Sequence, residues 1–318
     1  MKITVIGCGR WGSFIAWYLD KIGHEVMLYG RESSKHMKQF MEKRTNGLIE
    51  LPDSIKLEFD LEKAVQAEVI VISIASQGLR SLMQEIEGYN LVNKYYVLCM
   101  KGIEISTGKR LTEIVSEYMH KENSVAVWLG PGHVQEFYKG VPNCMVIDSL
   151  NEKMKEFLVS SFSSELIRFY YGNDLIGNEI GAAAKNVIGI AAGMLDGIHR
   201  TSLKGALMSR GTREVSRLIT AMGGNELSAY GLCHLGDYEA TVFSEFSHNR
   251  KYGEMFVKGE QYEDLAEGYY TVKALLRLGE EYQVDLPICQ AVHEVLYHGE
   301  DASSIIEKLF MRSLKKEF

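Results

Sequence analysis

The sequence predicts an α/β protein in two parts: a mostly parallel sheet domain over residues 1–174, followed by an all-helical domain over residues 175–318. Three observations carry this reading. Short, nearly continuous apolar runs alternate with amphipathic helical stretches up to Gly172, the rhythm of βαβ units whose strands are covered on both faces. A glycine turn joins the first such run to the first helical stretch. Beyond Gly172 the strand signal fades, and a long small-residue stretch, Asn178 to Leu195, opens a series of helical patterns. A chain of 318 residues also exceeds one ordinary core, so two cores fit better than one.

The predicted strands are, in order, Lys2–Ile6, Glu25–Tyr29, Val69–Ile74, Tyr95–Met100, Val125–Leu129, Asn143–Ile147 and Leu166–Tyr170. Helices fit between them, for example over Trp11–Ile22 and Gln77–Ile86. There is no internal repeat, low-complexity tract or proline-rich linker.

Composition narrows the function classes. With 46% hydrophobic and 24% charged residues the chain is an ordinary globular one, not a disordered one. A net charge of −7 without a block of Lys and Arg argues against nucleic acid or an anionic membrane surface as partner. The five cysteines stand singly, so free thiols in a reducing compartment are expected rather than disulfides or a zinc site. No apolar run approaches the ~20 residues that cross a bilayer. The start, which runs directly into a strand, differs from a signal peptide, and a cytoplasmic location is expected. No His-x-x-x-His pair occurs among nine histidines, and no metal is expected.

Gly7-Cys8-Gly9-Arg10-Trp11-Gly12 is a G-x-G-x-x-G between a predicted strand and a predicted helix. Its glycines allow a tight turn, close backbone approach to a pyrophosphate, and close helix–strand packing; the helix N-terminus presents free N–H groups to the anion. A Rossmann-type dinucleotide site, for NADP or NAD, follows. The second strand ends Tyr29-Gly30-Arg31-Glu32-Ser33-Ser34, where NAD-specific sites carry an acidic residue. Arg31 can pair with a 2′-phosphate through its fork of donors, which favours NADP, although Glu32 beside it points the other way.

Lys185 is the single basic residue of Gly177–Gly193, set among alanines and aliphatics. Desolvation there would tune it for proton transfer to a carbonyl during hydride reduction; the alternative is an ammonium that reaches out to solvent. Lys101 and the loop Gly130-Pro131-Gly132-His133 each follow a predicted strand, where open α/β sheets bind ligands. Either can also be an ordinary strand-ending turn.

At these residues the chain resembles the NAD(P)-dependent glycerol-3-phosphate dehydrogenases of bacterial type. The matching segments run in order along nearly the whole chain: residues 7–12, Met100-Lys101-Gly102, Gly130-Pro131, Gly177 to Gly193, Ser209-Arg210-Gly211, Leu235-Gly236-Asp237, Ser247 to Gly253 and Glu267-Gly268-Tyr269. The resemblance implies interconversion of dihydroxyacetone phosphate and sn-glycerol 3-phosphate, chiefly for phospholipid synthesis. It makes Lys185 the proton donor and acceptor, with Lys101 and Asp237 beside it in the catalytic set. Lys101, Gly130, Gly132, Lys185, Asp237, Ser247, His248 and Asn249 would bind substrate. Gly7, Gly9, Arg10, Trp11, Gly12, Arg31, Lys101, Val134, His248, Leu265 and Glu267 would contact the cofactor. A homodimer is expected, since two-fold dimers are the commonest soluble assembly.

Two departures stand out. The segment Ser247-His248-Asn249-Arg250 usually reads Ser-Arg-Asn-Arg in the family, and a histidine cannot offer the bidentate fork, so Arg250 is the candidate to replace it. Gly132 stands where the family has a serine or threonine, and His133 where it has a phenylalanine. These leave room for a related two-domain dehydrogenase acting on another hydroxy or keto compound. A nucleotide-binding regulatory protein without catalysis is the reading from another class.

Overall fold

The computed structural model describes residues 1–314 and Lys316. The chain forms two compact units, one of Met1–Lys101 with Lys109–Glu179, the other of Gly102–Gly108 with the residues from Ile180 onward.

The first unit alternates strands and helices: β1 (Lys2–Ile6), α1 (Arg10–Lys21), β2 (Glu25–Tyr29), α2 (Lys35–Lys43), β3 (Lys56–Glu58), α3 (Leu61–Ala64), β4 (Val69–Ile72), α4 (Leu79–Glu87), β5 (Tyr95–Leu98), α5 (Leu111–Tyr118), β6 (Ser124–Leu129), α6 (Val134–Tyr138), β7 (Asn143–Asp148), α7 (Glu152–Phe162) and β8 (Ile167–Tyr171). They build one eight-stranded sheet in the order β3-β2-β1-β4-β5-β6-β7-β8. All neighbours are parallel except β6 and β7. The order reverses between β1 and β4, the switch point where such sheets bind ligands. Because β1, β4, β5 and β6 run the same way, the turns after β1, β5 and β6 leave from one edge.

The apolar runs of β1 and β4 bury every residue from Ile3 to Ile6 and from Val69 to Ile72, as a sheet covered on both faces requires. Trp128, on β6, is fully buried between the rings of Tyr18, Phe162 and Phe169. β3 is the strand that sequence reading missed. It has three residues, begins and ends on a charged side chain, and exists through its pairing with Met27–Tyr29. The runs at Val69 and Tyr95 stop short of the predicted ends, and the stretch from Gln77 begins as a 3-10 turn, Ser76–Gly78, before α4.

The second unit is helical, with no strand among its described residues: most of α8 (Leu175–Gly197), then α9 (Lys204–Ala221), α10 (His248–Val257), α11 (Glu267–Glu281), α12 (Pro287–His298) and α13 (Ala302–Phe310). A 3-10 turn at Leu235–Asp237 and a π turn at Glu239–Phe243 precede α10. The small residues of α8 are explained by its neighbour. A Cβ on Gly193 would lie 1.9 Å from the Arg250 carbonyl oxygen, and one on Gly253 would lie 2.1 Å from that of Ile190. Thus α8 and α10 cross almost backbone to backbone.

The division between units falls inside α8, at Glu179/Ile180, rather than ahead of the helix at 174/175. The reason is local. The buried Glu179 carboxylate accepts from the Thr112 amide (3.0 Å), the Thr112 hydroxyl (2.6 Å) and Arg110 Nη1 (2.7 Å), which ties the first turn of α8 to the start of α5. Burial raises the pKa of Glu179, and Arg110 opposes the rise. Gly102–Gly108 joins the helical unit, where Arg277 Nη1 donates to the Ser106 carbonyl (2.7 Å).

Candidate active site

In the first unit the turn after β1 has the geometry its glycines imply. Gly7 has φ +113°, its amide donates to the Tyr29 carbonyl (3.0 Å), and a Cβ there would meet the Ser73 carbonyl oxygen at 2.1 Å. A Cβ on Gly12 would lie 1.8 Å from the Gly7 oxygen, so the helix packs directly on the turn. At Gly9 a Cβ meets nothing within 4 Å, and Gly9 caps α1 without a side-chain bond. That open concavity at a helix N-terminus fits a dinucleotide pyrophosphate.

Around the turn, Arg10 and Trp11 are half-buried, and Lys101 Nζ lies 5.9 Å from the Trp11 ring centre. Lys101 donates to the Gly130 carbonyl (2.8 Å), so the turns after β5 and β6 are hydrogen-bonded to each other. Arg31 is exposed and makes no ion pair among the described residues, so its guanidinium is open to a phosphate. Glu32 and Ser33 are also exposed, whereas Ser34 caps α2 and contacts the Cys8 thiol (3.1 Å).

Gly132 has φ +138°, and a Cβ there would lie 2.2 Å from a Phe137 ring carbon. The absent hydroxyl therefore follows from how this loop packs on Phe137, and needs no change of substrate to explain it. Val134, at the start of α6, is 2% exposed and packs in the core, so its side chain presents no free face to a cofactor.

In the second unit, Lys185 is 8% exposed, which excludes the solvent-facing alternative. Its Nζ lies 2.7 Å from Asp237 Oδ2, a carboxylate with 0% exposure, and donates to the Thr241 hydroxyl (2.8 Å). The Thr241 hydroxyl in turn donates to the Asp237 carbonyl (2.7 Å). Its proton is thereby committed, its oxygen must accept from Lys185, and the ammonium is aimed by two partners. Lys185 is thus not isolated among alanines as the local sequence suggests; a charge from a distant segment accompanies it.

Behind this pair, the His234 ring bonds the Gly181 carbonyl (2.8 Å) and the Tyr238 hydroxyl (2.7 Å). Burial lowers the His234 pKa to about 4, against the Gly181 hydrogen bond that raises it. The ring is neutral at pH 7, so Nδ1–H donates to Gly181 and Nε2 accepts from Tyr238.

The remaining predicted residues lie at helix starts. Ser247 caps α10, accepting from the Arg250 amide (3.3 Å). Asn249 donates to Asn186 Oδ1 (3.1 Å) and accepts from the Gly268 amide (2.9 Å), linking α8, α10 and α11. His248 is hydrogen-bonded to the Tyr262 hydroxyl and lies 3.6 Å from Asp264. Leu265 is 50% exposed, and Glu267 opens α11, where the helix dipole favours a carboxylate.

Arg250 does not replace the missing arginine. Two residues on in α10 is about 200° round the helix, which turns Arg250 toward Asp196 (Nε 2.6 Å) and Glu254 (3.6 Å). Sequence reading also passed over Thr241 and His234 as site residues. Thr241 stands four residues after Asp237, a helical-turn spacing, but nothing nearby marks it as a partner of Lys185.

Comparisons with known proteins cover both units of the chain. Models described as the NAD-dependent glycerol-3-phosphate dehydrogenase N-terminus and C-terminus match residues 2–155 and 174–307. The glycerol-3-phosphate dehydrogenase [NAD(P)+] of Chlorobium phaeobacteroides (strain BS1) is 37% identical, with 100% of this chain and 99% of the relative covered. That of Thermoanaerobacter sp. (strain X514) is 33% identical, with 100% and 99% covered. The crystal structure of glycerol-3-phosphate dehydrogenase from Coxiella burnetii shares the fold, with TM-score 0.91, 24% identity, and 98% of this chain and 99% of that one covered. With both family models matched in sequence along the chain, and the glycine turn and the buried lysine–aspartate pair in place, the chain belongs to the NAD(P)-dependent glycerol-3-phosphate dehydrogenase family of oxidoreductases.

Proposed function

We propose that this chain interconverts dihydroxyacetone phosphate and sn-glycerol 3-phosphate, with Lys185 as proton donor in reduction and proton acceptor in oxidation. The observation that carries the reading is the buried Lys185–Asp237 pair with Thr241 as its third member. Bound NADP or NAD supplies and accepts the hydride. Gly7, Gly9, Gly12 and Arg31 hold the dinucleotide, with Arg10, Trp11, Lys101 and Glu267 as further contacts. Arg31, open to a 2′-phosphate, supports a preference for NADP. Lys185 delivers a proton to the carbonyl oxygen, and the amine left behind keeps its hydrogen bond to Thr241. Asp237 balances the ammonium when the proton returns. Asn249 acts by fixing Asn186, next to Lys185, and Lys101 offers a cation to the anionic substrate.

The test mixes tag-free protein with NADPH or NADH and dihydroxyacetone phosphate and follows loss of reduced-cofactor absorbance. Lys185→Ala is expected to bind cofactor as the wild type does but to lose about 10²–10⁴-fold in kcat. Wild-type-like turnover in that variant removes the assignment.

A second reading, a related dehydrogenase for a different small hydroxy or keto compound, is favoured by His248 together with the engagement of Arg250 by Asp196. Turnover with another keto substrate and none with dihydroxyacetone phosphate would select it. The reading without catalysis is disfavoured by the intact Lys185–Asp237 pair.

The wider setting belongs to the same proposal: a cytoplasmic enzyme that supplies glycerol 3-phosphate for phospholipid synthesis, without a nucleic-acid partner. No helix among the described residues is long and apolar enough to cross a membrane. A homodimer is supported by exposed apolar side chains near the C-terminus, Phe310 at 69% and Met311 at 85%. Light scattering on the eluted protein tests it, and a monomer mass at micromolar concentration rejects it.

A further inference from the structure

A cluster at the end of α12 stands apart from the Lys185 chemistry. His293, Glu294 and His298 each place one ligand-type atom within 4.8 Å of the others. Glu294 and His298 are four residues apart, on one face of the helix, and His293 leans in from the adjoining position. The sequence shows no His-x-x-x-His pair here because the histidines are five residues apart, and it is the helical fold that brings the carboxylate between them.

The two imidazoles are edge-on, with ring centres 5.2 Å apart, and neither ring has a hydrogen-bond partner among the described residues. His293 Nδ1 is buried without a partner, a state that few buried polar atoms in native proteins keep. His293 is held in place by stacking on Tyr297 at 4.8 Å. Among the described residues the Glu294 carboxylate is engaged only by the side chain of Gln290, an exposed contact that an ion can displace.

We propose that His293, Glu294 and His298 form a binding site for a divalent transition-metal ion, best suited to Zn²⁺. Two imidazoles and one carboxylate are the donor set that favours zinc and its neighbours over Mg²⁺ or Ca²⁺. Three protein ligands leave the remaining position for water. Zinc bonds of about 2.0–2.2 Å require the three ligand atoms to draw closer; the exposed His298 and the half-buried Glu294 can turn toward a His293 that is already fixed. The negative end of the α12 dipole favours a cation at this point. Lys273, whose Nζ lies 3.9 Å from the centre of the Tyr297 ring, is the opposing charge, and Glu294 offsets it.

The experiment titrates tag-free full-length protein with ZnCl₂ by calorimetry, beside His298→Ala and His293→Ala, and follows the thermal midpoint with ZnCl₂ and with MgCl₂. His298 is exposed, so its removal does not threaten folding. One zinc per chain is expected, with Kd weakened at least about 10-fold in either variant, and a rise in midpoint with Zn²⁺ but not Mg²⁺. Co²⁺ as a spectroscopic probe should show d–d bands without the near-ultraviolet thiolate charge-transfer band. Equal affinity in wild type and His298→Ala, a thiolate band, or no saturable binding overturns the proposal. None of these readouts depends on turnover of glycerol 3-phosphate.

Discussion

Replacing Asp237 by Asn tests the central pair most directly. The side chain keeps its shape and an acceptor oxygen, but Lys185, 8% exposed, is left as a buried cation without its counter-charge. Breaking a buried ion pair by removing one partner costs about 3–5 kcal/mol, because the remaining charge is uncompensated. The Thr241 hydroxyl still accepts from the ammonium at 2.8 Å, which places the expected loss at the lower end, about 3 kcal/mol. Urea unfolding measures it, read by hydrogen exchange at amides of α8 and α10, so that the helical unit is followed by itself. The double variant Lys185→Met, Asp237→Asn removes both charges and should recover most of the loss, a coupling that neither single change predicts. A loss below about 1 kcal/mol in Asp237→Asn, or simple additivity in the double variant, would refute the dependence of Lys185 on this carboxylate.

Glu214 gives a pH prediction. It accepts from the amides of Ile288 and Cys289 at the start of α12, and burial pushes its pKa up to about 7. A folded-state pKa raised above the unfolded value of about 4.5 contributes stability that is full below pH 4.5 and lost as pH rises through 7, about 3 kcal/mol in all. Glu214→Gln should flatten that slope; unfolding midpoints at pH 5 and pH 8 that differ equally in both proteins reject it. Arg31→Ala should raise the NADPH Kd about 10-fold or more, as loss of charge-assisted hydrogen bonds implies, and leave NADH unchanged in fluorescence titration. Equal effects on the two cofactors would remove Arg31 from 2′-phosphate recognition. His248→Arg should lower KM for dihydroxyacetone phosphate if the position still meets the phosphate, and an unchanged KM shows that its contacts with Tyr262 and Asp264 hold it elsewhere.

By itself the sequence determined the sheet unit and the glycine turn, and it singled out Lys185 as the candidate for proton transfer. β1 and β2 fall where the apolar runs place them, because strand burial on both faces is a local pattern. The G-x-G-x-x-G is legible because only glycine satisfies the φ of residue 7 and the 1.8 Å approach at residue 12. What only the tertiary structure decided are relations between distant segments. Asp237 and Thr241 reach Lys185 from more than fifty positions away, and no local periodicity encodes such a pairing. Arg250 looked like a spare cation until the turn of α10 carried it to Asp196. Gly132 read as a lost hydroxyl until its φ and the Phe137 ring showed that a side chain has no room there. The physical reason is common to all three: composition and periodicity report which face a residue takes within its own element, while the partner of a side chain, or the room for one, is set by how the elements pack.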